Sequence, residues 1–142
     1  MLRNLTFAAL LAAGPALADE IVTYPFDGTA EDAAFVIESA IQGQGLVIDY
    51  VSYIGQMMDR TGADLDLGPS PVGDSARAFL FCSATISREV MEADPMNIGH
   101  CPYAVFVAEI GDDVVVGHKV YAAESMAPVN DLLTRIAEAV AE

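Results

Sequence analysis

The sequence predicts an α+β fold, in which helices cover one face of an antiparallel sheet. Runs of β-branched and aromatic residues alternate with helical segments, and they predict about five strands. Two of these runs, residues 102–110 and 114–122, are joined by the short segment Gly111-Asp112-Asp113, which is typical of an antiparallel hairpin. A sheet that contains a hairpin, with helices between its other strands, is most simply antiparallel and covered on one face.

The first eighteen residues have the features of a secretory signal peptide. Arg3 gives a basic start, an apolar run follows, and the segment 1–18 ends in small residues up to Ala18. The apolar run is shorter than the roughly 20 residues that cross a bilayer. We therefore expect cleavage before Asp19, a single domain over residues 19–142, and a periplasmic or secreted protein that has no membrane anchor once the peptide is removed.

The composition is strongly acidic. The chain has 21 Asp and Glu residues against six Lys and Arg residues, and its formal net charge is −15. Nucleic acids and anionic membrane surfaces bind mainly through Lys and Arg, so this charge repels both. We expect no nucleic-acid partner and no membrane binding. The charge is compatible with solubility in a salty habitat and with a cationic partner or metal.

The first half of the chain predicts a strand, a helix and a second strand. The first strand covers residues 20–26, where side chains alternate. Thr29 offers an N-cap for a helix whose apolar residues recur at helical spacing up to Gly43. The second strand covers residues 46–54, which are rich in β-branched and aromatic side chains.

The segment after the second strand predicts only a short helical turn, near residues 56–60. Glycines and prolines then remove the periodicity, so we expect a loop over residues 61–74. A loop of this length is often a lid or a binding loop, and a surface insertion without a role is the alternative.

The second half of the chain predicts three more strands and two helices. The third strand covers residues 76–82, and Ser83 caps a helix that ends at Pro95. The fourth strand is apolar on both faces, which places it in the middle of the sheet, and the hairpin joins it to the fifth. Pro128 begins a last helix with an apolar stripe. The predicted order is β-α-β-β-α-β-β-α.

Both cysteines lie beside apolar strands, Cys82 at the end of the third strand and Cys101 just before the fourth. If those strands are antiparallel, the helix between them brings the chain back and the two sulfur atoms meet at one rim of the sheet. In an oxidising compartment the pair would form a disulfide, which stabilises by roughly 3 kcal/mol for a closed loop of about 20 residues. A redox pair and a metal or haem site are the alternatives.

Each alternative has some support in the sequence. Cys82 precedes a predicted helix N-terminus, which favours the thiolate, although the chain has no Cys-x-x-Cys motif. His100 adjoins Cys101, and Met96 adds a thioether, a soft ligand set that suits copper. We expect His118 to be a half-buried strand residue. The sequence requires no cofactor, and copper and haem are the candidates.

Other catalytic motifs are absent from the sequence. It contains no Gly-x-Ser-x-Gly motif, no glycine-rich phosphate loop and no zinc spacing. We therefore expect a binding domain that acts through the region of Cys82, His100 and Cys101, and not an autonomous enzyme. A thiol-dependent redox accessory is the alternative.

The motifs around the cysteines resemble an uncharacterised bacterial family known as domain of unknown function 302 (DUF302). They are the strand that ends in Cys82, the helix with "REVMEADP" and the strand that begins "GHCPYAVFVAE". The segments "FVIESAIQGQGLVIDY" and "APVNDLLTRIAEAVAE" are similar to the flanking parts, so the resemblance spans residues 24–141. It implies a compact antiparallel fold like the halves of the TATA-binding protein, often dimeric, and no established activity.

The sequence departs from the family beside the thiols. Ser83 and Ala84 stand where the family has Asn and Pro after the first Cys. His100 and Pro102 stand where the family has Pro before and Asn after the second Cys. A second copy of the chain and a periplasmic protein are the candidate partners.

Overall fold

Five strands and four α-helices make up a computed structural model that describes residues 20–141. The strands are β1 (Glu20–Phe26), β2 (Ile48–Ser52), β3 (Arg77–Phe81), β4 (Tyr103–Ile110) and β5 (Asp113–Val120). The helices are α1 (Ala30–Gly43), α2 (Ile54–Leu65), α3 (Ala84–Ala93) and α4 (Ala127–Ala141), with short 3₁₀ helices over Pro95–His100 and Glu124–Met126. None of the helices in this part of the chain combines the length and the apolar character that a membrane span requires. The predicted signal peptide, residues 1–18, lies outside the described residues.

The five strands form one antiparallel sheet in the order β1-β5-β4-β3-β2. β4 and β5 make the predicted hairpin, in which Ile110 pairs with Asp113. β4 lies between β3 and β5, in the centre of the sheet, which accounts for its apolar side chains on both faces. The α+β class and the antiparallel sheet are therefore confirmed.

The hydrophobic core lies between one face of the sheet and the helices. On β3 and β4, Phe79 lies opposite Val105 and Phe81 lies opposite Tyr103, and all four side chains are buried. The predicted stripe of α4 faces them and consists of Leu132, Leu133, Ile136 and Val140. Burial of a side chain of this size stabilises the fold by roughly 1.5–3 kcal/mol. The core therefore holds the central strands firmly against the helices.

Two predicted helix caps are present. At the start of α1, the Thr29 hydroxyl accepts a hydrogen bond from the backbone N–H of Asp32 at 3.1 Å, and the Asp32 carboxylate accepts one from the backbone N–H of Thr29. The side-chain hydrogen bond with Thr29 lowers the pKa of Asp32. Ser83 caps α3 by accepting from the backbone N–H of Ile86 at 3.4 Å.

The segment after β2 forms a longer helix than predicted. α2 has 12 residues, whereas the sequence predicted a short turn over residues 56–60 and a loop over residues 61–74. The loop begins only after Leu65, where the C-cap residue Asp66 adopts the left-handed conformation with a φ of 55°. The predicted order of elements therefore lacked the helix between β2 and β3.

Two glycines of α2 account for this difference. Gly55 and Gly62 lie about two turns apart on the helix, and both are buried. The backbone carbonyl of Gly73 lies where a Cβ of Gly55 would be, and the carbonyl of Gly68 lies where a Cβ of Gly62 would be. The glycines thus let the following loop pack directly on the helix, although glycine costs about 1 kcal/mol in a helix interior.

Candidate functional site

The two cysteines are joined at one rim of the sheet. Cys82 and Cys101 form a disulfide, with their Cα atoms 6.4 Å apart, which lies within the usual span of such a bond. Cys82 directly follows β3, and Cys101 directly follows the 3₁₀ helix Pro95–His100. The prediction that the sulfur atoms meet is therefore confirmed, and the bond ties the start of α3 to the start of β4.

A buried hydroxyl lies beside the disulfide and is hydrogen-bonded to a second one. Ser87, on the first turns of α3, has its Oγ atom 4.0 Å from Cys101 Sγ. The same hydroxyl shares a hydrogen bond of 3.2 Å with the hydroxyl of Tyr103, which is fully buried at the start of β4. The two hydroxyls therefore form a hydrogen bond with each other. A buried hydroxyl without a partner would lower the stability of the fold by about 1–3 kcal/mol.

His100, which directly precedes Cys101, belongs to a group of aromatic and basic residues. The ring of His100 packs on the ring of Tyr121, with the centroids 4.7 Å apart. The ammonium of Lys119 lies 5.2 Å from the centroid of the same tyrosine ring, a distance that allows a cation–π contact. His100 is therefore held against the protein, and its partner is an aromatic ring.

The 3₁₀ helix between the cysteines presents apolar side chains to solvent. Asn97 is buried, and its side-chain amide donates hydrogen bonds to the Val90 carbonyl at 2.8 Å and to the Ser125 hydroxyl at 3.1 Å. Its neighbours Met96 and Ile98 point outward and are 76% and 63% exposed. A fixed backbone thus displays two large apolar side chains beside the disulfide.

The four residues considered for a metal are only partly brought together. Cys82 and Cys101 are bonded to each other, so their sulfur atoms become available as thiolate ligands only after reduction. Met96 points into solvent. Among residues 20–141, no group of three or more His, Cys, Asp or Glu side chains is arranged to hold a metal ion.

His118 is more deeply buried than the sequence predicted. It was expected to be half-buried on β5, but its side chain has no exposed surface, and it stacks on Tyr24 with the centroids 6.1 Å apart. Nδ1 donates to the Lys119 carbonyl at 3.0 Å, and Nε2 has no hydrogen-bond partner among the described residues. Burial lowers the pKa of His118. It therefore belongs to the core and not to the disulfide region.

A polar cleft at the other end of β3 was not singled out by the sequence analysis. Arg77 begins β3, and its guanidinium pairs with Glu31 of α1 and lies over the ring of Tyr53. Glu31 precedes Arg77 by 46 positions in the chain. The sequence contained one indication of this cleft. The alternation of side chains in residues 76–82 places Arg77 on the same face of the strand as Phe79, but it does not identify the residues that Arg77 contacts.

Comparison with known proteins gives a match in structure alone. No family model matches the sequence, and none of the curated proteins matches it. The structure is similar to the crystal structure of an uncharacterized conserved DUF302 protein from Bacillus stearothermophilus, with a TM-score of 0.65. The chain has the fold of a DUF302 protein. The match covers 88% of this chain and 99% of that chain at 11% sequence identity.

The similarity confirms at the level of fold the resemblance that the motifs predicted. In this chain, both ends of the segment between Cys82 and Cys101 lie at one rim of the sheet, because β3 and β4 are antiparallel neighbours. At so low an identity the likeness does not extend to a ligand or an activity. The function therefore depends on the residues that this chain places on the fold.

Proposed function

We propose that this chain is an exported binding or accessory domain that contacts a protein partner through the rim next to its disulfide. Met96, Ile98 and His100 form this contact surface, which we call the rim surface. The observation that carries the proposal is that the disulfide and Asn97 fix the 3₁₀ helix that exposes Met96 and Ile98, with His100 half-buried at its end. Export is supported by the signal-like segment 1–18 and by the disulfide, since such bonds persist mainly in oxidising compartments.

The composition of the rim surface suits a protein partner. Exposed apolar and aromatic side chains at the centre of a contact account for most of the affinity in protein–protein interfaces. The rest of the chain is strongly acidic, so a patch that carries Met96, Ile98 and a histidine differs from its surroundings. A backbone that is already fixed loses little conformational entropy when it binds, which increases affinity.

A thiol–disulfide accessory is the second candidate, and one observation favours it. Cys82 immediately precedes Ser83, the N-cap of α3, and a helix N-terminus stabilises a thiolate. A partner dithiol would reduce the bond by transferring two electrons and two protons, leaving thiols on Cys82 and Cys101 and a disulfide on the partner. This candidate predicts that native material contains a fraction of molecules with two free thiols.

Site-specific photo-crosslinking in the producing cell tests the proposed contact. A photoreactive residue replaces Ile98 in one variant and Val47, which is 73% exposed between α1 and β2, in the control. We expect one adduct of defined mass at position 98 and none at position 47. An adduct of twice the mass of the chain would identify a second copy as the partner.

The same experiment separates the proposal from its alternatives. In the double variant Cys82→Ser/Cys101→Ser, the 3₁₀ helix loses its covalent anchor, and we expect the adduct at position 98 to decrease severalfold. Equal adducts at positions 98 and 47, or none at either, would contradict a contact through the rim surface.

A further inference from the structure

A polar cleft of about 660 Å³ lies at the start of β3, at the opposite end of this strand from Cys82. It is lined by Glu31, Tyr53, Gln56, Asp59, Arg60, Asp74, Ser75 and Arg77. A second cavity of about 310 Å³ adjoins it and shares Glu31, Tyr53 and Arg77 with it. Both volumes are typical of sites for small molecules.

Arg77 is held in the cleft before any ligand arrives. Its Nε donates to the Ser75 carbonyl at 3.1 Å, and its Nη2 donates to the Glu31 carboxylate. The guanidinium carbon lies 5.3 Å from the centre of the Tyr53 ring, and the side chain is only 13% exposed. Since a guanidinium has five N–H donors, these two hydrogen bonds leave three for an anionic group. A fixed guanidinium binds a carboxylate with little further loss of side-chain entropy.

Arg60 adds a second positive charge on the same cleft. It is exposed on α2 and takes part in neither of the ion pairs Arg77–Glu31 and Arg88–Glu92. Two of the five Lys and Arg residues in the described part of the chain therefore line one cleft. In so acidic a protein, this concentration of arginine favours a ligand with a carboxylate.

Carboxylates line the same cleft and would attract a positively charged group on the ligand. Asp59 accepts a hydrogen bond from the Ser70 N–H at 2.6 Å through one oxygen, which orients its side chain, and Asp74 is exposed nearby. With Glu31, three carboxylates and two arginines line the cleft, so a phosphate or a dicarboxylate would be repelled by the acids, and a simple amine would leave the donors of the arginines without an acceptor. A ligand that carries both an ammonium and a carboxylate group satisfies both sets.

The adjoining cavity indicates what else the ligand carries. Beyond the shared residues, its wall combines the acidic side chains of Asp32 and Glu38 with apolar side chains, which are those of Ala34, Phe35, Val51 and Phe79. Pockets with a few polar groups and an apolar wall orient a ligand by its charges and accept its apolar part. The two cavities together match a charged head and an apolar side chain.

We propose that this cleft binds a free α-amino acid with a large apolar side chain. The carboxylate lies on Arg77 and Arg60, the ammonium faces Asp59 and Asp74, and the side chain enters the cavity beside Phe35. This site is separate from the rim surface and from the disulfide, so either proposal stands if the other fails.

Titration of the purified protein with L-leucine, followed by amide chemical shifts, tests this proposal. We expect saturable shifts at Tyr53, Arg60 and Arg77. Arg60→Gln is expected to weaken binding about tenfold, the loss of one charge-assisted hydrogen bond. Arg88→Gln, which makes the same charge change on an exposed arginine of α3 outside the cleft, is the control and is expected to change binding less than twofold.

Two ligand analogues test the need for both charges. N-acetyl-leucine lacks the ammonium and leucine amide lacks the carboxylate, and each is expected to bind at least tenfold more weakly than leucine. The proposal is overturned if leucine and phenylalanine give no shifts in the cleft at millimolar concentration. It is also overturned if both arginine variants weaken binding equally, or if N-acetyl-leucine or inorganic phosphate gives the same shifts as leucine.

Discussion

Removal of the disulfide is expected to lower the stability of the domain by about 3 kcal/mol. The change is the double variant Cys82→Ser/Cys101→Ser, which leaves no single free thiol. The two cysteines are separated by 19 positions, and the chain-entropy relation gives about 3 kcal/mol for a closed loop of that size. For a domain of this length, that loss corresponds to a decrease in melting temperature of about 10–15 °C.

Calorimetry and urea unfolding measure this effect. The variant should unfold at lower urea concentration, and the native chain treated with reductant should fall to the stability of the variant. The rim surface is expected to loosen in both samples, because the covalent anchor of the 3₁₀ helix is lost. A native chain whose stability is unchanged by reductant, or a double variant as stable as the native chain, would refute the interpretation of the bond as a structural brace.

Three further predictions follow from packing, burial and capping. Gly62→Ala should destabilise the domain by about 1–3 kcal/mol in urea unfolding, because its Cβ would overlap the Gly68 carbonyl, whereas Gly43→Ala in α1, which has open space, should not. Because burial lowers the pKa of His118 below its ordinary 6.5, protonation favours the unfolded chain. The free energy of unfolding should therefore fall as the pH decreases below about 6.5, and His118→Leu should remove that slope. Thr29→Ala should cost about 1 kcal/mol through loss of the cap of α1, and an equally stable variant would contradict that role.

The parts of the fold that were predictable are those that local patterns determine. Alternating side chains and the segment Gly111-Asp112-Asp113 predicted the hairpin of β4 and β5, and hydroxyl side chains at Thr29 and Ser83 predicted two helix starts. The meeting of Cys82 with Cys101 followed from the antiparallel pairing of their strands. In each case, the information lies in adjacent residues or in strands that follow one another along the chain.

The parts that were not predictable depend on contacts between distant residues. Gly62 has a low helix propensity, and its place inside α2 depends on the carbonyl of Gly68 packing against it. The full burial of His118 requires β5 to lie beneath α4, which no local pattern specifies. The cleft around Arg77 needs Glu31 from another element, so neither residue alone indicates a site.

The oxidation state of Cys82 and Cys101 in native material tests the central claim most directly. Cells that produce the protein are quenched with acid and alkylated, and mass spectrometry then counts the free thiols with and without prior reduction. The proposed function predicts that neither cysteine is alkylated before reduction and that both are alkylated after it. A substantial fraction of molecules with two alkylated cysteines before reduction would contradict a permanent brace and would favour the thiol–disulfide accessory.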